Sequence, residues 1–132
     1  MSNAPQSIKL HRKSRELELV YRDIGGVRLS CEFLRVHSPS AEVRGHGHGQ
    51  EVLQTGKIDV EIVDIIPTGN YALQLVFSDG HDSGIFSWDY FRELCEHRES
   101  LWDSYLQRLR EAGASRDPQE QVIQLFDPRA NE

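Results

Sequence analysis

Cysteine is scarce in this 132-residue chain: only Cys31 and Cys95, 64 positions apart and in no CxxC pairing. That excludes a disulfide framework and a paired-cysteine zinc knuckle, and both thiols are expected to be reduced and buried in the core. No apolar run approaches the ~20 residues that a spanning helix needs, and no apolar signal core opens the chain. A soluble, cytoplasmic protein is the expectation, with no membrane partner. Catalytic signatures are missing as well. There is no G-x-x-x-x-G-K-[ST] phosphate loop and no G-x-S-x-G elbow. Gly45, Gly47 and Gly49 lack the preceding strand and the spacing of a dinucleotide loop. A 2-His-1-carboxylate iron site needs an H-x-D/E pair and a later histidine. The only H-x-E is His97-Arg98-Glu99, and no histidine follows it.

Positive charge is also short where a polyanion would need it. Residues 1–57 carry 9 Lys+Arg against 6 Asp+Glu, and residues 58–132 carry 6 against 15, within a net charge of -6. No domain-wide basic face is available to displace counterions, so nucleic acid is not an expected partner. The one basic cluster, Lys9, His11, Arg12, Lys13 and Arg15, reads as a solvated hairpin turn.

What is present is a succession of short periodic segments. Ile8 and Leu10, then Leu17, Leu19 and Tyr21, alternate with polar residues, which predicts a β-hairpin after a disordered lead over residues 1–6. Val27 to Leu29 adds an extended piece. Ser30 is placed to cap a helical turn over Cys31 to Val36, which Pro39 stops. Residues 41–50 include three glycines in five positions and predict an exposed loop. Ile58 to Ile66 is strongly β-branched, Pro67 to Asn70 predicts a turn, and Tyr71 to Phe77 a returning strand. Asp79-Gly80 predicts a further turn with positive φ at Gly80. Gly84 to Phe86 follows as a brief strand. Ser87 is placed to cap a helix from Trp88, and a second helix runs from about Glu99 to Gly113. The expected fold is α+β, a small twisted antiparallel sheet made of two strand pairs with C-terminal helices packed against it. The domain is expected over 7–113, with a tail over 114–132, disordered or docking through Val122, Ile123, Leu125 and Phe126.

Six markers taken together resemble one family: Leu29 to Arg35, Ser38-Pro39-Ser40-Ala41-Glu42-Val43, Gly45-His46-Gly47, Gly56-Lys57, Gly69-Asn70-Tyr71-Ala72, and Asp79-Gly80-His81 through Trp88. The chain is similar over about residues 8–95 to the gamma-butyrobetaine hydroxylase-like N-terminal domain family, a domain of unknown function when it stands alone. The resemblance implies a scaffold that travels with other proteins, among them carnitine-pathway 2-oxoglutarate oxygenases and P-loop iron-sulfur cluster carriers. In those oxygenases three cysteines and a later histidine hold a structural zinc. The matching positions here are Ser38, Ser40, Val43 and His81, so the zinc site is expected to be lost. Ser38 and Ser40 are expected to bond to turn backbone in its place.

The remaining polar residues define the candidate site: Arg35, His37, His46, His48, Asp79, His81 and Trp88. Neutral imidazoles beside carboxylates are able to ligate a transition metal, and His37, His46 and His81 would be the ligands if one bound, with zinc or iron left open. The plainer reading is that His37 and His81 make structural hydrogen bonds, that His46 and His48 are solvated, and that Trp88 belongs to the core. A catalytic serine at Ser38 or Ser40 is disfavoured by the missing elbow. No cofactor and no enzymatic activity are expected. The leading expectation is an accessory or protein-interaction module linked to iron-sulfur cluster or metalloenzyme maturation, partnered by a P-loop iron-sulfur carrier or a metalloenzyme. The rival is a metal-ion or small-ligand binding protein using the histidine-rich corner.

Overall fold

In a computed structural model that describes residues 3–45 and 51–119, the chain forms two three-stranded antiparallel sheets and four helices. The first sheet is a meander of β1 (Ser7–His11), β2 (Glu16–Tyr21) and β3 (Gly25–Ser30). Leu17, Leu19 and Tyr21 alternate inward along β2, and Leu17 pairs with Leu29 across the sheet. This is the two-residue period that one buried face requires. Gln6, within the expected lead, donates its backbone N–H to the Val20 carbonyl.

Helix α1 (Cys31–Val36) follows without a break, because Ser30 stays extended and its hydroxyl accepts the Phe33 amide at 3.0 Å. A short helix α2 (Ala41–Arg44) then occupies what the glycines predicted as loop. The glycine run begins only at Gly45, and the turn before it is anchored by the buried Val43 and by the Val43 and Arg44 amides on the Ser40 carbonyl. His46 and His48 lie outside the described residues.

The second sheet comprises β4 (Ile62–Thr68), β5 (Ala72–Phe77) and β6 (Ile85–Ser87), in the order β4-β5-β6. The strand predicted from Ile58 starts four residues later. Ile58 instead donates to the Arg116 carbonyl and Val60 turns back onto Lys57. At its other end β4 takes in Pro67 and Thr68, predicted as turn. Proline is tolerated there because β4 is an edge strand, where a missing N–H costs no ladder bond. Gly80 has the expected positive φ, at +91°. The sequence points to one sheet made of both hairpins, but the two hairpins lie in separate sheets within the expected α+β arrangement. Each recruits its own third strand, β3 or β6, and the two sheets meet through one core that includes Leu17, Leu19, Leu29, Ile62, Leu75, Phe77 and Phe86.

Helix α3 (Trp88–Glu96) is capped by the Ser87 hydroxyl, which accepts the Tyr90 amide at 3.1 Å, and it buries Phe91, Leu94 and Cys95. Helix α4 (Arg98–Ala112) buries Tyr105 and Leu109 and ends at Gly113 in the left-handed conformation. Beyond it, the carbonyls of Ser115 and Arg116 accept the amides of Gly56 and Ile58. The Arg116 guanidinium grips buried Glu32 of α1 with two bonds of 2.7 and 2.8 Å. Residues 120–132, with Val122, Ile123, Leu125 and Phe126, lie outside the described residues. Both cysteines are buried and unpaired, and burial pushes their thiols above the ordinary range. Among the described residues no helix is long and apolar enough to cross a membrane.

Candidate functional site

Three of the candidate residues converge where the end of α1 meets the turn between β5 and β6. Arg35, although on a helix, is buried, and its Nε donates to Asp79 Oδ2 at 2.9 Å while Nη1 donates to the Gln54 side-chain oxygen at 3.0 Å. Lys57 Nζ reaches the same Asp79 oxygen at 2.6 Å, and the His81 amide donates to Asp79 Oδ1 at 3.2 Å. Burial works to raise the Asp79 pKa, but the Lys57 hydrogen bond, the His81 amide and the Arg35 charge outweigh it and hold it at about 2. Asp79 is therefore a fixed anion linking three chain segments.

His81 is buried beside this node. Its Nε2 lies 2.8 Å from Ser38 Oγ and 3.4 Å from Ser40 Oγ, and its Nδ1 lies 3.2 Å from Glu42 Oε1. Burial and the nearby Arg35 charge lower its pKa against the pull of Glu42 and Asp79. A neutral ring then donates from Nδ1 to the Glu42 carboxylate and accepts the Ser38 hydroxyl at Nε2. The serines were expected to bond chiefly to turn backbone. Ser38 Oγ accepts the Ser40 amide at 3.4 Å, and its hydroxyl also bonds the imidazole, the shorter contact of the two at 2.8 Å.

Ser38, His81 and Glu42 are thus ordered like a nucleophile, base and acid. Their exposure is the reverse of what catalysis needs: Ser38 is 1% exposed, whereas the Glu42 side chain is 72% exposed. A side chain at Gly84 would collide with Ser38 Oγ, so the Gly84 backbone packs closely over that oxygen. The relay works as a structural link.

The same geometry tests the family's zinc. Two hydroxyls already bonded to the imidazole, a buried valine and a single histidine do not make a tetrahedral set of soft ligands. Among the described residues no three His, Cys, Asp or Glu side chains are grouped to hold a metal ion. The residues of this corner do not fit zinc.

The other candidates are dispersed. His37 caps α1, donates from Nδ1 to the Phe33 carbonyl at 2.9 Å, and lends its own carbonyl to Tyr90 Oη at 2.6 Å. Burial lowers its pKa, opposed by the Phe33 bond and aided by Arg108. It lines a cleft that Ser38 also borders and that Arg35 and His81 do not. Trp88 stacks near Phe91 and donates Nε1 to the Asn70 carbonyl at 2.8 Å, away from the Asp79 node. Glu42, Gln54 and Lys57 were not singled out from sequence. Glu42 and Lys57 lie inside two of the six recognised markers, which was the available signal, and Gln54 had none.

Fold and corner together define a small α+β domain closed by a hydrogen-bonded polar node. The family model described as gamma-butyrobetaine hydroxylase-like, N-terminal, matches residues 8–92. The chain belongs to this family, a domain of unknown function. Among solved structures it is similar to one determined in solution by NMR, at 50% identity and TM-score 0.80, over 96% of this chain and 100% of the other. A second NMR structure matches at 48% identity and TM-score 0.74, over 94% and 93% of the two chains. A crystal structure of a protein of unknown function from Acidithiobacillus ferrooxidans, in the DUF971 family, matches at 40% identity and TM-score 0.59, over 70% of this chain and 92% of the other. No curated protein matches the chain significantly.

Proposed function

We propose that the domain is a non-enzymatic accessory module that docks on a metalloprotein, a P-loop iron-sulfur carrier or a metalloenzyme, through the outer face of the second sheet. One observation carries this reading. Ile66, Gln74 and Ile85 are paired in a single row across β4, β5 and β6, so their side chains share one face. Ile66 and Ile85 are 41% and 46% exposed, and Val63, at the irregularity in β4, is 47% exposed. The water-facing side of an antiparallel sheet is ordinarily polar, and a grouped apolar face marks a contact surface. Exposed Asp64 and Asp82 lie on β4 and just before β6, so the partner surface that fits is apolar with a basic rim. The metalloprotein class rests on the company that similar domains keep, which is analogy from fold to function. The enclosed Ser38 and the saturated Asp79 favour a module without chemistry of its own.

The test is capture from native extract with the wild-type chain and with the double variant Ile66→Lys, Ile85→Lys, after thermal melting confirms that the variant is folded. Lysine is tolerated on strand edges, so folding should survive. Recovery of an iron-sulfur carrier or metalloenzyme by the wild type, and its loss with the variant, is the expected result. Repeated capture without such a protein, or equal recovery by both chains, defeats the reading.

A further inference from the structure

A cleft of about 500 Å³, bordered by Ser38 but not by Arg35, Asp79 or His81, lies between the end of α1, α2, α3 and α4. That is within the roughly 300–1,000 Å³ typical of small-ligand sites. Its lining divides by chemistry. Val36 and Val43 are buried and Val52 is exposed, which gives an apolar wall and rim. Arg44 and Arg108 supply two guanidinium groups, and neither makes a salt bridge among the described residues. The Arg44 guanidinium carbon lies 4.8 Å from the centre of the Tyr90 ring and the guanidinium also hydrogen-bonds the Tyr90 side chain, which holds the fork at the edge of the cleft. Tyr90 is itself tied down by its bond to the His37 carbonyl. Glu51 is the acidic residue of the lining and has a contact of its own within the chain.

His37 completes the wall. With Nδ1 committed to the Phe33 carbonyl, its ring is held in place along the cleft. Two charged forks above an apolar wall, in a partly enclosed space, match a planar or tetrahedral oxyanion with a short hydrocarbon portion.

From this arrangement we infer that the cleft binds a small carboxylate- or phosphate-bearing molecule, its oxyanion held by Arg44 and Arg108 and its apolar part against Val36, Val43 and Val52. The site is separate from the sheet face, and neither depends on the other. The experiment is an amide-resolved NMR titration of the whole chain with three probes: isovalerate, inorganic phosphate, and neutral isovaleramide. Saturable shifts at residues 36–38, 43–45 and 90 are expected with an anionic probe and not with the amide. The anion that binds tighter identifies the head group. Losing one charged hydrogen-bond donor should weaken that binding by about tenfold or more, in Arg108→Gln and separately in Arg44→Gln. Arg12→Gln, in the distant β1–β2 turn, should leave it unchanged. Well-dispersed spectra of the variants verify the fold, and the two arginine variants test the site independently. Absence of saturable shifts up to ~50 mM probe, equal shifts with isovaleramide, or full affinity in both arginine variants would overturn the inference.

Discussion

His81 shows how one side chain joins the local chemistry to pH-dependent stability. It is neutral when folded, because burial and Arg35 oppose its protonation, and so is His37, through burial and Arg108. In the unfolded chain both return to the ordinary value of 6.5. A folded pKa below the unfolded one means that the unfolded state binds more protons, so stability rises with pH. The contribution is complete above 6.5 and is lost as pH falls through the lowered folded values. Asp79 then acts in a lower window, between its ordinary 3.8 and about 2, where its protonation releases Arg35 and Lys57. We therefore expect urea denaturation to give falling stability from pH 7.5 to pH 5. The slope should be shallower in His81→Gln, whose amide can still face Ser38 and Glu42 but cannot titrate. An unchanged slope in that variant would show that His81 is not one of the groups responsible.

Among elements, α1 joins three other parts of the structure: Arg35 ties it to the β5–β6 turn, Tyr90 on α3 bonds its cap, and Glu32 receives the segment after α4. Glu32 is 6% exposed at its side chain and Arg116 is 37% exposed, with the guanidinium 5.0 Å from the centre of the Trp102 ring. Removing one partner strands a buried carboxylate. Arg116→Met should thus cost about 2 kcal/mol, less than the roughly 3–5 of a fully buried pair because the arginine is partly solvated. Adding Glu32→Met should recover much of the loss, since two apolar side chains can replace a buried ion pair. Chemical denaturation of the single and double variants measures both effects, and a double variant less stable than the single would contradict the account. Elements were legible from sequence where their signals are local. Ser30, Ser87 and Gly113 mark helix ends through bonds made within a few residues. Strand limits were not, because the late start of β4 depends on Arg116, some sixty residues away, and the tolerance for Pro67 depends on which edge of β4 is left unpaired. The corner divides in the same way. Arg35, Asp79 and His81 stood out as residues within recognised markers, but the bond of Gln54 to Arg35 exists only once the chain has closed.

At the scale of the whole molecule, two sheets that share no hydrogen-bonded edge could unfold separately, yet their inner faces form one cluster. Leu17, Leu19 and Leu29 from the first sheet and Ile62, Leu75, Phe77 and Phe86 from the second are each at most 2% exposed within it, together with Leu34 of α1 and Phe91 of α3. Neither sheet can keep its apolar face buried once the other leaves, which makes the transition cooperative. The corner that the family resemblance matches to a structural zinc site is a second place at which the fold could fail in parts. A structural zinc in a small zinc-dependent peptide supplies roughly 10–16 kcal/mol, and chelation unfolds such domains. Here the corner is closed by Ser38, Ser40, His81 and Glu42, and those hydrogen bonds remain when metal is withdrawn. The expected behaviour is one unfolding transition, coincident by far-ultraviolet circular dichroism and tryptophan fluorescence, with a melting temperature unchanged by EDTA. Well under one zinc per chain should be found by elemental analysis. Two separated transitions would show that the shared core does not couple the sheets. Stoichiometric zinc, lost on chelation together with the fold and abolished by His81→Ala, would show that the hydroxyl-lined corner is not what holds this part of the chain.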